Sequence, residues 1–208
     1  MKKLLLFLCL ALVSTGAFAQ ASFSIKAGFS MTNFISDENA QAKPGFKIGV
    51  GSDIILSDIL YLQPSLMVAG KGAQYSKGTA GLVTAGATVN SLYLELPVLI
   101  GAKVWLGGNT RLNIGVGPYI AYGIGGTTVH DGSLGGINYA DGGLPTFGKD
   151  VNMNPFDAGL ALAAGFEFGN FLVGLDTQMG LTKLSANSVW VSKNAKNMTA
   201  TLYVGFKF

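Results

Sequence analysis

The sequence predicts an all-β fold, an eight-stranded antiparallel up-and-down β-barrel that spans a membrane. Three observations lead to it. Apolar residues recur at every second position through most of the chain, the period of a strand whose two faces meet different surroundings. Charged residues make up only 12% of the 208 residues against 49% hydrophobic, and within the alternating segments they collect on one face. The 30 glycines sit among Thr, Val, Phe and Tyr without a collagen period, which favours closely approaching strands over a low-complexity linker.

In chain order, residues 1–19 read as a cleaved signal peptide. Lys2 and Lys3 form the charged start, Leu4 to Val13 the apolar run, and Ala17-Phe18-Ala19 the small-x-small signal for cleavage between Ala19 and Gln20. The run is about ten residues, half of the roughly twenty that a spanning helix needs. Cys9 follows Leu8 and lies too early for a lipoprotein signal. Cleavage leaves residues 20–208 as the barrel domain and removes the single cysteine, excluding disulfides and thiol chemistry. Without Lys2 and Lys3 the formal charge falls from +3 to about +1 (3 − 2), which gives no nucleic-acid footprint.

Eight strands are expected near 23–34, 44–56, 59–76, 89–106, 110–126, 156–168, 171–184 and 197–208. Residues 92–106 carry the pattern best: Leu92, Leu94, Leu96, Val98, Ile100, Ala102, Val104 and Leu106 alternate with a face that includes Glu95, Gly101 and Lys103. The last strand repeats it, with Met198, Ala200, Leu202, Val204, Phe206 and Phe208 on one side. Short turns at Ser57-Asp58, Gly107-Gly108-Asn109 and Gly169-Asn170 alternate with long loops near 35–43, 77–88, 127–155 and 185–196. Tight turns and both termini therefore share one end, assigned to the periplasm, and long loops the other.

Two other architectures are weighed against this one. Leu112 to Val129 has no charge and is long enough for a membrane helix, but it holds five glycines, a proline and an asparagine, and its apolar residues fall on even positions. A soluble lipocalin-like barrel would put the apolar face inside around a ligand. Eight strands enclose too little volume for so many large side chains. The reversed arrangement is therefore expected, with the apolar face on lipid and the sheet closed because hydrocarbon accepts no open edge. Lys26, Lys47, Asp53, Glu95, Lys103, Arg111, Asp157, Glu167, Asp176 and Lys207 then point inward as a paired network of five basic and five acidic residues, since an unpaired interior charge costs several kcal/mol. Phe23, Phe166, Phe168, Phe171, Phe206 and Phe208 at the turn end, and Phe46, Tyr122 and Phe156 at the loop end, fit two interfacial aromatic girdles.

The segments Tyr61-Leu62-Gln63-Pro64-Ser65-Leu66 with Gly70-Lys71-Gly72, Tyr93-Leu94-Glu95-Leu96-Pro97, Gly117-Pro118-Tyr119, Asp157-Ala158-Gly159-Leu160 and the closing Tyr203-Val204-Gly205-Phe206-Lys207-Phe208 resemble the PorT-type outer-membrane β-barrel proteins of the Bacteroidetes. The likeness covers nearly the whole chain after the signal peptide. It implies the outer membrane, an eight-stranded barrel, Phe208 as part of the signal read by the barrel-assembly machinery and, for the family's name-giving member, a role in secretion and gliding motility.

Candidates for chemistry are few. His130-Asp131, with Ser133 near in sequence, is the enzyme candidate, yet nothing in the sequence places a nucleophile within reach of the imidazole. One histidine and no remaining cysteine argue against zinc, and Asp131, Asp141, Asp150 and Asp157 match no calcium-loop spacing. The runs Gly123-Ile124-Gly125-Gly126 and Gly135-Gly136 lack the Lys-Ser/Thr and following helix of a phosphate-binding loop. No cofactor or metal is expected. Glu95, inward beside Pro97, reads as a buried charge partner.

Tyr93, Trp105, Tyr119, Met67 and Tyr203 add interior bulk, while Gly49, Gly51, Gly115, Gly117, Gly159, Ala161, Ala163 and Gly174 leave local gaps, so no continuous channel is expected. The expected function is non-enzymatic, a structural or surface-interaction role through the long loops, above all 127–155. Expected partners are outer-membrane lipid, the assembly machinery and extracellular or secretion-system proteins. The alternatives are a secretion or gliding component, a small pore, a rim enzyme and a soluble ligand-binding barrel.

Overall fold

The computed structural model describes residues 21–35, 40–80, 83–134, 137–140, 143–148, 153–184 and 194–208. The expected signal peptide and its cleavage site lie outside these residues. The strands are β1 Ala21–Ile35, β2 Ala40–Gln41, β3 Lys43–Ile55, β4 Leu60–Ala80, β5 Val83–Gly107, β6 Thr110–Gly125, β7 Thr127–Leu134, β8 Ile137–Ala140, β9 Leu144–Pro145, β10 Phe156–Phe168, β11 Phe171–Gly180 and β12 Lys196–Lys207. Eight of them, β1, β3, β4, β5, β6, β10, β11 and β12, pair antiparallel with their chain neighbours. The ring closes where β12 pairs back onto β1, from Ser24↔Lys207 to Ile35↔Lys196.

Alternation sorts the side chains as expected. Ile25, Phe29, Ile48, Val50, Ile100, Val116, Leu160, Leu162, Leu202 and Val204 are exposed on the outer wall, while Lys47, Asp53, Glu95, Asp157 and Glu167 are buried inside. This is the reverse of a soluble barrel and removes the lipocalin alternative, and residues 112–125 lie in strand, not helix. The outer aromatics form a band at the turn end, where Phe171 packs edge-on against Phe206 at 5.4 Å, Phe206 against Phe208 at 5.3 Å, and Phe166 stacks on Phe168 at 6.0 Å. Phe46, Tyr122 and Phe156 are exposed at the loop end.

The turn end is knitted together by main-chain contacts. Leu56 N–H donates to Leu60 O at 2.9 Å, Gly169 N–H to Asn109 O at 2.9 Å, Lys207 N–H to Asn170 O at 2.8 Å and Phe208 N–H to Phe23 O at 2.8 Å. Short turns face the periplasm in barrels of this kind, so this end, with Phe23 and Phe208, lies on that side.

The loop end departs from the expected boundaries. Residues 77–88 are not a loop: β4 and β5 stay paired up to Ala80↔Val83. The stretch 127–155 contains β7, which continues along β5 from Val89↔Thr128 to Val83↔Leu134, with β8 and β9 paired to β7. A folded sheet thus rises above the rim. The sequence of these segments lacks the two-residue apolar rhythm by which a strand between lipid and lumen is recognised. β6 and β7 would be one strand but for Gly126, whose φ of 140° belongs to glycine and whose Cβ would lie 2.2 Å from Asn90 O. In the other direction, β11 ends at Gly180 and not at 184: Leu181 N–H donates to Ala158 O at 2.8 Å as the chain turns over the mouth.

A closed barrel of this kind resists SDS until heated. The outer-membrane fraction run unheated and boiled on an SDS gel is expected to give bands at two positions that merge on boiling. A single position for both samples would contradict ring closure.

Candidate functional site

The inward face of the eight strands fills the lumen in layers. Nearest the turn end, Asp53 and Glu167 are shared by Lys103 and Lys207. Lys103 Nζ lies 2.5 Å from Asp53 and 3.2 Å from Glu167; Lys207 Nζ lies 2.9 Å from each. Gln63 donates to Asp53 and accepts from Lys26 Nζ at 2.7 Å, which also lies 5.2 Å from the Tyr203 ring centre. Asn113 donates to Glu167 at 3.3 Å. Arg111 is at the edge of this group, 3.7 Å from Glu167 and stacked 4.2 Å from the Trp105 ring centre.

A cavity of about 30 Å³, room for a water or two, separates this layer from the next and is bordered by Lys26, Met67, Leu99, Ala161, Ala163 and Tyr203. Above it Glu95, 0% exposed, lies 2.5 Å from Lys71 Nζ and 3.6 Å from Lys47 Nζ. Lys47 also pairs with Asp176 at 2.9 Å, and Gln178 accepts from Lys71 at 3.1 Å. Asp157 accepts from Tyr119 at 3.0 Å, Asn197 at 2.8 Å and Thr182 at 2.7 Å. The Tyr119 ring lies 4.9 Å under Lys71.

The loop end is closed by apolar side chains. Phe147 inserts from the segment after β9 and meets Tyr93 edge-on at 5.4 Å, resting on Gly123, where any Cβ would lie 2.2 Å from its ring. It joins two clusters, one of Tyr93, Leu99, Tyr119, Ala121 and Ala161 within the barrel, the other of Phe34, Val89, Met153, Leu184 and their small neighbours above. Thr146, fully buried, donates to Asn90 O at 2.6 Å and shares a bond with Thr128 at 3.1 Å, while Gly123 N–H donates to Pro155 O at 2.7 Å. These contacts anchor the described part of the longest loop in the mouth.

All ten charged residues expected inside point inward, and seven are buried; Lys26, Arg111 and Asp176 are half-buried. Sequence reasoning missed Lys71, 1% exposed, which makes six basic residues to five acidic ones and corrects the expected balance. Lys71 lies in phase with Tyr61, Gln63 and Met67 on β4, so the alternation contained it. Trp105 does not fill the interior: it is 57% exposed at the periplasmic mouth, since alternation gives the side a residue faces but not its depth. Asp157 is held within the lumen, as expected from its place in the alternation. The backbone of His130 pairs with Ala87 on β5, but the side chains of His130, Asp131 and Ser133 lie outside the described ones, as do Asp141 and Asp150.

An apolar outer wall, a ring without a free edge and a lumen filled by mutually paired charges define an integral outer-membrane β-barrel. The chain belongs to the outer membrane protein beta-barrel domain family, whose model matches residues 18–186, and its place is the outer membrane. Among solved structures it is similar to Ail, the attachment invasion locus protein of Yersinia pestis (14% identity, 91% of this chain and 99% of that one, TM-score 0.39). It is likewise similar to Neisserial surface protein A (13%, 90% and 99%, TM-score 0.47) and to the outer membrane enzyme PagL (13%, 88% and 98%, TM-score 0.48). No curated protein matches it in sequence.

Glu95 is the close carboxylate partner of Lys71, and Lys47 keeps Asp176 without it, so Glu95→Ala strands the buried Lys71 ammonium and is expected to cost about 3–5 kcal/mol, read from the urea unfolding midpoint in bilayers. Glu95→Leu combined with Lys71→Met is expected to recover part of that loss. A double variant less stable than Glu95→Ala alone would show that the pair is not the source of the effect.

Proposed function

We propose that the protein is a non-enzymatic outer-membrane barrel that presents a folded sheet to partners outside the cell. The observation that carries this reading is the continuation of β4 and β5 above the aromatic rim, joined by β7 and β8, on a mouth plugged by Phe147 and its neighbours. A transmembrane strand needs about 9–11 residues, whereas β4 has 21 and β5 has 25. The surplus lies outside the membrane, and its pairing gives a rigid surface where a free loop would be costly to order on binding. The lumen charges support the same reading from inside: most are paired with one another across a narrow eight-stranded interior, unlike the wide water-filled interior of larger barrels.

A second reading, a PorT-like component of a secretion or gliding apparatus, rests on the resemblance of the short motifs noted above. In either case the closing strand ending in Phe208, 74% exposed and hydrogen-bonded to Phe23, suits recognition by the barrel-assembly machinery.

Two strains separate the readings, a gene deletion and a variant in which residues 76–87 are replaced by a two-residue turn. Attachment of whole cells to surfaces and to one another is expected to fall equally in both, with the shortened barrel still heat-modifiable and export of secreted proteins unchanged. Loss of exported cargo in the deletion strain would replace this reading by the secretion one. Wild-type attachment in both strains would overturn it. The purified wild-type protein is expected to give no steady current in planar bilayers.

A further inference from the structure

At the periplasmic end, a pocket of about 190 Å³ opens between the first tight turn and the mouth of the lumen, lined by Ile55, Ser57, Asp58, Ile59, Leu60, Tyr61, Lys103, Trp105 and Arg111. Three properties of its walls bear on what it holds. The first is a cation with free donors. Lys103 and Lys207 are both paired with Asp53 and Glu167, and Lys26, bonded to Gln63, does not border this pocket, so Arg111 is the cation its lining has to offer; among the described residues its ion pair is a loose 3.7 Å to Glu167. Its Cζ lies 4.2 Å from the centre of the Trp105 ring, a cation–π contact that uses none of the N–H donors and leaves them for an oxyanion.

The second is an anion in the same lining, on the turn. Asp58 is exposed on the turn, and among the described residues no ion pair involves it. A simple anion would be drawn to Arg111 and repelled by Asp58, whereas a zwitterion is attracted by both. The third is the character of the turn itself. Leu56 is 53% and Ile59 56% exposed, aliphatic side chains in a position where a water-facing turn would carry polar ones. Lys103 N–H donates to Ile59 O at 2.8 Å, which locks this apolar turn against β5 beside the aromatic band. The turn therefore sits at the depth of lipid headgroups, with acyl chains against Ile55, Ile59 and Leu60.

We propose that this pocket binds the headgroup of an ethanolamine phospholipid of the inner leaflet, with its phosphate on the Arg111 guanidinium and its ammonium on the Asp58 carboxylate. The site fastens the periplasmic rim to one lipid and lies at the opposite end of the barrel from the extracellular sheet. It does not depend on the function proposed for that sheet.

The test is native mass spectrometry of the full barrel extracted from vesicles of equal phosphatidylethanolamine and phosphatidylglycerol content. One phosphatidylethanolamine is expected to remain bound after mild delipidation. Asp58→Asn, a change on an exposed turn that leaves the barrel's heat-modifiability intact, is expected to lower that retention by about tenfold, with Arg111→Gln at least equal in effect. Glycerophosphoethanolamine added as competitor is expected to displace the lipid. Equal retention of the two lipids, or retention unchanged in Asp58→Asn, overturns the proposal. So does displacement by free glycine as readily as by glycerophosphoethanolamine, because the pocket would then select an amino acid and not a headgroup.

Discussion

Hydrocarbon offers a peptide group no hydrogen-bond partner, and this single constraint governs the rest of the molecule. Hairpins satisfy seven of the eight strand pairings locally. The eighth, β1 with β12, joins the two ends of the chain and forms only if the others have the twist and register to bring them together. Once the ring is closed, eight strands leave a lumen just wide enough for side chains, so every inward residue must be small or find a partner across the barrel. The ion pairs do more than neutralise charge. Lys47 on β3 reaches Asp176 on β11, and Lys103 on β5 reaches Asp53 on β3, links between strands that are not neighbours in the sheet. Each such contact is made only when the ring is round and in register, so the polar interior checks the closure that the lipid demands.

What was legible in the sequence follows from the same constraint. Wherever a strand separates lipid from lumen, selection against charge on one face and for it on the other writes a period of two, and the eight strands emerge within about four residues of their observed ends, except that β5 begins six residues before the expected 89. Above the rim that pressure stops. The paired segments 77–80, 83–88 and 127–134 mix Gly, Ala and Thr with Lys77, His130 and Asp131 and show no apolar alternation, so composition reads as loop where main-chain pairing makes sheet. Alternation also lacks a depth coordinate. It gives Trp105 and Tyr93 the same side, although one is at an open mouth and the other, 0% exposed, is beneath the plug. Lys71 was hidden differently: between Gly70 and Gly72 it resembles a turn residue, and only the phase of the whole of β4 assigns it to the lumen.

The two ends of the lumen are sealed by unlike means. Toward the periplasm the filling is ionic and its outermost member, Arg111, reaches solvent; toward the outside it is aromatic and aliphatic. An apolar cap over an ion-pair layer has an electrostatic consequence. Tyr93, Tyr119 and Phe147 keep water from Glu95 and Lys71, lowering the local dielectric, which strengthens a formed pair and raises the penalty for separating it. The cap and the upper ion pairs therefore reinforce each other.

That coupling extends to the extracellular sheet. The cap draws Phe34 from β1, Val89 from β5, Met153 from the long loop and Leu184 and Ala195 from the chain between β11 and β12, so it ties the segments crossing the mouth to the strands that rise beyond it. In a sheet rooted in this way the entropy of holding its shape is met during folding of the barrel. Placing bulk at Phe147 or a side chain at Gly123 would then act at a distance. It would loosen the sheet through its root while leaving the lipid-facing wall and the periplasmic ion pairs as they are.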